Sequence, residues 1–455
     1  MTKDSKHSID MLNGPILTRL CGLALPIALS GILQQLFNSA DTAVAGKFAS
    51  AQAMAAVGSN ASVINLIVTL FVGLSIGANV VVASMIGSGH HNRVKDAVQT
   101  AMTIAVISGV FLTVFGIIVA PKILRLISCP PDVIGMAEEY LRLYFLGMPF
   151  VMIYNFGSAV LRAEGDSRRP LYALIIAGCV NVVLNLYFVI VWHMAAAGVG
   201  LATTISNMIN AGLVLFFLIK EKGYLHLDIK KPQIDRGILR KMIGIGLPAG
   251  IQGAVFSVSN VVIQSAINSF GSSAVAGSAA AQNFEFICWF MLNGFGQAAT
   301  TFTSQNFAAG NKERCNKIYV RATAAGMGLT IIMSFVFFMG RYPLLHIFTS
   351  SPEVMKYALA RLIIVAAMEA LAGTYEISGG CLRGMGMSMI PAVETLFGSC
   401  ILRLVFVWTI FRIHHNFYLL MAIYPITWVI TGIIVTTTYL LTRNKIYLRM
   451  GRHIS

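Results

Sequence analysis

Charge is what this chain of 455 residues has least of: Asp, Glu, Lys and Arg together make up 11% of it, less than half of the roughly 25% usual in soluble domains. An ordinary soluble enzyme is excluded. Cysteines are few and unorganised, since Cys21, Cys129, Cys179, Cys288, Cys315, Cys381 and Cys400 form no C-x-x-C pair and define neither a disulfide framework nor a zinc site. Alternating segments are missing as well. A transmembrane β-barrel needs runs of ~10 residues alternating apolar and polar, whereas residues 63–86 and 323–340 are long unalternating apolar stretches. Disorder is ruled out by 27 Phe and 56% hydrophobic residues, because disordered chains are poor in apolar side chains. No polar segment is long enough to hold a soluble catalytic domain. What remains is an all-α polytopic membrane protein.

A membrane-spanning helix needs ~20 apolar residues. Twelve stretches qualify, near 16–42, 53–86, 97–119, 136–161, 170–191, 195–219, 238–268, 275–307, 320–340, 354–380, 388–411 and 416–441. The first apolar run lacks a small-residue cleavage site and is read as an uncleaved span. If the N-terminus is cytoplasmic, 24 Lys and Arg fall in inside loops, beginning with Lys3 and Lys6, and six fall outside. Positive residues stay on the cytoplasmic side, so both termini are expected there, in a plasma-membrane protein. This placement accounts for most of the net charge of +15 without any nucleic-acid partner.

The chain also repeats itself. Leu161-Arg162-x-x-Gly165-x-Ser167-x-x-Pro170 returns 221 residues later as Leu382-Arg383-x-x-Gly386-x-Ser388-x-x-Pro391, and Pro131-Asp132-Val133 returns as Pro352-Glu353-Val354. Leu25-Pro26 returns as Leu247-Pro248. Six spans are an even number, so both copies keep one orientation, which predicts two pseudo-symmetric six-helix lobes about an axis along the membrane normal. The expected division is a first lobe over 1–220, a cytoplasmic linker over 221–240 and a second lobe over 241–455.

An ionisable residue inside a membrane is costly and marks function by default. Asp41, Glu285, Glu369, Glu376, Glu394 and Arg403 fall inside spans. Ser30, Gln34, Asn38 and Asp41 are spaced to share one helical face, a polar stripe that ends in a carboxylate. Asn38 has a repeat partner in Asn260, but Asp41 maps onto the uncharged Ile263–Gln264. Asn181 and Asn185 share a face of span 5, and Thr203 and Thr204 lie on span 6. At ~1.5 Å per residue, all of these sit in the outer half and are able to converge, although Asn and Thr also serve simply to join helices. In the second half, a buried Arg403 requires a carboxylate partner, which predicts a Glu369–Arg403 or Glu285–Arg403 pair. Glu376 and Glu394 are expected near the cytoplasmic ends, where they snorkel to water. His90-His91 and His414-His415 lie in loops and are expected to be solvated. Pro26 and Pro248 each remove a helical hydrogen bond, which makes them candidate hinges.

The segment from Leu25-Pro26 to Ser39-Ala40-Asp41-Thr42-Ala43-Val44-Ala45-Gly46, the glycine-rich end of span 2, the Leu-Arg-x-x-Gly-x-Ser-x-x-Pro repeat and the 6+6 layout together resemble the multidrug and toxic compound extrusion (MATE) family. The likeness runs from about Pro15 to Thr442. It implies a monomeric pump without a cofactor that exchanges Na⁺ or H⁺ for organic cations and amphipathic drugs, and it implies a first-lobe cation site at Asp41, Asn181, Asn185 and Thr204. Asp41 would then be the charged ligand of a bound Na⁺. Some relatives carry a second Asp where this chain has Asn185, and others a Glu in span 7, where it has Phe256-Ser257. A lipid-linked precursor flippase of the same superfamily would share the lobes but carries a cationic cavity, whereas Arg403 is the only Arg placed deep in a span here. A major-facilitator transporter usually has a G-x-x-x-D-R-type run between spans 2 and 3, where this chain reads Gly87-Ser-Gly-His-His-Asn-Arg-Val-Lys. A polytopic enzyme should show a nucleophile or metal cluster beside a membrane face, and the sequence carries none.

Overall fold

In the computed structural model of the protein, residues 8–126 and 132–452 are described. Lys3, Lys6, Cys129 and Pro131 lie outside them. Every regular element among the described residues is a helix, as expected where lipid leaves backbone N–H and C=O groups no partner but each other. The first half runs through α1 (Ile16–Phe48), α2 (Ala51–Gly87), α3 (His91–Leu126), α4 (Ile134–Leu146), α5 (Met148–Glu164), α6 (Arg168–Leu186), a π-turn over Tyr187–Val191, and α7 (Ala195–Lys220). The second half contains α8 (Arg236–Asn268), α9 (Ser272–Ala308), α10 (Lys312–Met339), α11 (Arg341–His346) and α12 (Pro352–Ile364). A 3₁₀ turn over Ala366–Ala372 leads into α13 (Gly373–Gly384) and α14 (Met389–Thr395). A π-turn over Leu396–Ile401 then precedes α15 (Leu402–Trp408), α16 (Ile410–Ile413) and α17 (Phe417–Arg452).

Among the described residues, nine helices are long and apolar enough to cross a membrane, or ten when α4 and α5, bent by 46°, are taken as one broken span. Pro149 in the first turn of α5 cannot donate back along the chain, so the helix stops at Gly147 and restarts. The stretches at 275–307 and 354–380 are helical but fall short of that test. In α9, Gln282, Asn283, Glu285, Asn293 and Gln297 interrupt the apolar face, and the 3₁₀ turn after α12 breaks the other stretch.

The chain packs into two compact units. One is built on Ser30–Gly250, and the other joins Asp10–Leu29 to Ile251–Ser455. The change of unit therefore falls inside α1, just after Pro26, and inside α8, just after Pro248. Both helices continue through their prolines.

In the first unit, Gly73-x-x-x-Gly77 of α2 crosses Gly246-x-x-x-Gly250 of α8. A Cβ on Gly73 would stand 2.3 Å from the Gly250 backbone, and one on Gly77 would stand 2.1 Å from the Met242 carbonyl. Small residues allow this backbone approach, and close packing supplies the attraction that the hydrophobic effect cannot supply in lipid. The second unit uses the same device, where a Cβ on Gly294 of α9 would meet the Ala24 carbonyl of α1 at 2.7 Å.

Residues 221–235 are tied to α3 in the first unit. Arg93 pairs with Asp235 at 3.1 Å, Thr100 accepts the Asp235 N–H at 3.0 Å, and Gln99 donates to the Asp228 carbonyl at 3.1 Å. Asp235 also accepts the N–H of Ile238 at 2.9 Å, which caps the start of α8.

Two outcomes follow from this packing. Gly77→Val forces the α2–α8 crossing apart and should lower stability by about 1–3 kcal/mol, the usual cost of overpacking, read as a lower melting temperature of the purified protein. The Asp235 carboxyl is held below its ordinary value by the Ile238 N–H first, and then by Gly237 and Arg93, against a smaller desolvation. A value lowered on folding makes the cap's contribution complete above about pH 4 and lost as pH falls through the lowered value. Hydrogen exchange at residues 236–240 should accordingly quicken in Asp235→Ala at pH 7, while in the wild type it should quicken only in acid.

Candidate functional site

Asp41 is placed by a ring and a glycine. Phe37, one turn before it on α1, packs against Gly178 of α6 so closely that a Cβ there would lie 1.9 Å from the ring. That contact brings Asp41 level with Asn181 and Asn185, one and two turns beyond Gly178. After α6 and its π-turn the chain reverses through His193 (φ 53°) and Ala195 (φ 49°). Non-glycine residues seldom adopt this left-handed region. The reversal returns α7 alongside α6 and carries Thr203 to the same point.

The resulting cluster is buried, with Asp41 5% exposed, Asn181 4% and Asn185 0%. Asn185 Nδ2 donates to Asp41 Oδ1 at 2.5 Å, and Thr203 Oγ1 donates to Asp41 Oδ2 at 3.1 Å. Asn185 Nδ2 also reaches Asn181 Oδ1 at 3.2 Å, and Asn181 Nδ2 reaches Thr203 Oγ1 at 3.4 Å. Tyr140 and Tyr144 of α4 lie within electrostatic reach of Asp41. Among the described residues, no Lys, Arg or His forms an ion pair with it.

Asn185 Oδ1 is buried and without a hydrogen-bond donor. A buried orphan oxygen beside a carboxylate that forms no ion pair among the described residues calls for a missing partner. The oxygens of Asp41, Asn181, Asn185 and Thr203 carry one negative charge in total, which suits one monovalent hard cation.

The structure departs from the sequence expectation at Thr204. Its hydroxyl donates to the Leu143 carbonyl at 2.7 Å and joins α7 to α4, while its neighbour Thr203 faces Asp41. A shift of one residue turns a helical side chain by about 100°, and spans drawn to within several residues cannot choose between adjacent threonines. Gln34 and Asn38 are exposed on α1 and stand outside the cluster.

In the second unit neither expected pair with Arg403 forms. Glu285 of α9 instead takes a bidentate bond from Arg361 of α12, Nε at 2.9 Å and Nη2 at 3.1 Å, with Ser278 accepting Nη1 at 2.7 Å. Arg361 is 2% exposed. In the sequence Arg361 falls near the end of a span, which hides its burial, yet it precedes Glu369 by eight residues, a spacing that puts both on one face. Arg403 of α15 donates to Thr427 at 3.1 Å and lies over the Tyr424 ring at 4.5 Å. Glu376 and Glu394 are not left to water either. Glu376 is buried and pairs with Arg383 at 3.2 Å, and Glu394 accepts the Thr438 hydroxyl at 2.5 Å. His91, expected in a loop, is the first residue of α3 and stacks on Tyr224, and His415 in the loop after α16 hydrogen-bonds Ser269.

A carboxylate buried in a multi-pass helical bundle between neutral oxygens marks a functional site by default, and the family match gives the class. The chain belongs to the MatE family, whose model matches residues 26–187 and again 248–409, the two copies of the internal repeat. It is a membrane transporter and not an enzyme. Among curated proteins it is similar to the probable multidrug resistance protein YpnP of Bacillus subtilis, 28% identical over 397 residues and covering 87% of this chain and 88% of that one. It is also similar to the probable multidrug resistance protein NorM of Thermotoga maritima, 26% identical and covering 85% and 83%. Among solved structures, a MATE crystallised in complex with MaL6 superposes with a TM-score of 0.90 at 19% identity, covering 97% of this chain and 99% of that one.

Breaking a buried ion pair strands a charge and typically costs about 3–5 kcal/mol. Glu285→Gln and Arg361→Met should therefore each lower the detergent melting temperature markedly, and the double variant should lose less than the two single losses combined. Strictly additive losses would show that the pair is energetically uncoupled.

Proposed function

We propose that this transporter exports organic cations and amphipathic drugs across the cell membrane in exchange for Na⁺, by alternating access of its two halves. The observation that carries the reading is Asp41: a buried carboxylate with both oxygens held by neutral donors, no counter-charge in ion-pair range among the described residues, and an orphan amide oxygen beside it. An entering Na⁺ supplies the missing charge. Rotation of the Asn185 amide would turn its oxygen toward the ion, with Asn181 and Thr203 completing the shell. The curated relatives named as multidrug resistance proteins support drug export, and the Lys and Arg asymmetry supports cytoplasmic termini. Pro26 and Pro248 serve as hinges, since each leaves the carbonyl four residues earlier, Gly22 or Gly244, without its usual helical donor. The protein acts as a monomer and needs no cofactor beyond the coupling ion.

Reconstituted in proteoliposomes, the protein should expel ethidium when Na⁺ is driven inward at equal pH on both sides. Asp41→Asn should cut that rate at least ~tenfold, the scale of one lost charge-assisted contact, while leaving folding and reconstitution intact. Asn185→Asp should steepen the Na⁺ dependence. Export that follows a pH gradient and ignores Na⁺ would reject Na⁺ and leave Asp41 as a proton carrier. Undiminished Na⁺-driven export by Asp41→Asn would reject the site.

A further inference from the structure

Among the described residues the second unit buries three arginines, Arg361, Arg383 and Arg403; Arg383 pairs with Glu376, and of the other two only Arg361 is paired. Arg361 spends its donors on Glu285 and Ser278. Arg403, 2% exposed, donates through Nε to Thr427, but its Nη2 is buried with no acceptor. Glu369 is 3% exposed, and its Oε2 is likewise buried without a donor among the described residues. The two interact through space, yet among the described residues no ion pair joins them. A low-dielectric interior makes such a standoff expensive, because Arg403 Nη2 and Glu369 Oε2 have each given up water without gaining a hydrogen bond. Buried unsatisfied groups of this kind call for a missing partner.

The surroundings limit what that partner is. Tyr424 lies 4.5 Å and Phe256 6.0 Å from the Arg403 guanidinium, so apolar rings flank the charge. A guanidinium fork matches a carboxylate in two-point geometry. One positive charge balances one negative charge, which suits a monoanion. The charged and titratable groups facing Glu369 are Glu285 and Cys288 from α9, Arg361 from α12, Tyr375 from α13 and Arg403 from α15.

We propose that Arg403 receives a carboxylate carried by an aromatic amphipathic substrate, and that Glu369 is the counter-ion which this carboxylate replaces. Glu285, Arg361, Glu369 and Arg403 sum to zero charge when ionised. A ligand carboxylate would bring the set to minus one, so its binding is favoured when Glu369 is neutral. The transporter is thereby suited to zwitterions as well as simple cations. This deepens the export reading, on which it rests for the word substrate.

The test is equilibrium binding by the purified full-length protein, followed by fluorescence anisotropy, of rhodamine B, a zwitterion with a free carboxylate, and of its ethyl ester, a cation of nearly the same shape. Glu369→Gln should bind rhodamine B at least tenfold more tightly, about 1.4 kcal/mol, and the ester within twofold of wild type. The double variant Arg403→Gln/Glu369→Gln, which strands no charge, should lose that gain and bind both dyes alike. Arg403→Lys should recover part of the preference. Parallel changes for the two dyes, or a wild type that binds the ester alone or neither dye, would overturn the proposal. Dye binding that depends on Arg403 while Na⁺-driven ethidium export fails would retain the site and reject the export reading. Intact export without any carboxylate preference would do the reverse.

Discussion

A negative charge taken out of water into a helix bundle must be met by something, and among the described residues Asp41 is met by an amide and a hydroxyl. Neutral dipoles reduce the cost of burial without cancelling the charge. The rest of the first unit reads as scaffolding for that condition. The seat of Phe37 on Gly178 sets the height of α1 against α6, and the strained reversal at His193 and Ala195 returns α7 with Thr203 turned inward. Thr204 and Ser206 anchor α7 to the Leu143 and Ala177 carbonyls. These anchors hold the helix so that the polar groups meet without any of them bringing a positive charge.

The second unit treats its carboxylates differently. Glu285 is closed off by Arg361 and Glu376 by Arg383, so these acids are neutralised within the fold and have little to offer an ion. Glu369 and Arg403 are the exception, close enough to feel each other but not in contact. Two halves descended from one repeat have thus been given opposite electrostatics, a lone carboxylate in one and a nearly balanced network in the other.

Packing and mobility meet at the prolines. Membrane helices associate through close backbone approach, and here the leading halves of α1 and α8, the helices that carry Pro26 and Pro248, both make such crossings. The start of α8 lies on Gly73 and Gly77, and the start of α1 lies on Gly294. Each helix leaves its first unit within a turn of its proline. The stretch where a helix has lost a hydrogen bond is therefore also the stretch where it changes partners, and a bend at that point costs the fewest contacts.

Fold class, the repeat and the burial of Asp41 within the helices were legible in the sequence alone, because they depend on composition, periodicity and the spacing of polar residues along a helix, all of which are local. Asn181 and Asn185 were legible too, through their spacing of one turn. The choice of Thr203 over Thr204 was not, since adjacent residues differ by a rotation that only the packing of α7 against α4 resolves. Nor was the pairing of Glu285 with Arg361 in place of Arg403. Charge complementarity says that a buried acid needs a base, but which one depends on how α9 meets α12 across 76 residues of chain. The division of α1 and α8 between two units likewise has no local signature beyond the prolines. It arises from where each half-helix finds a glycine face to lie against, and only the tertiary structure decides that.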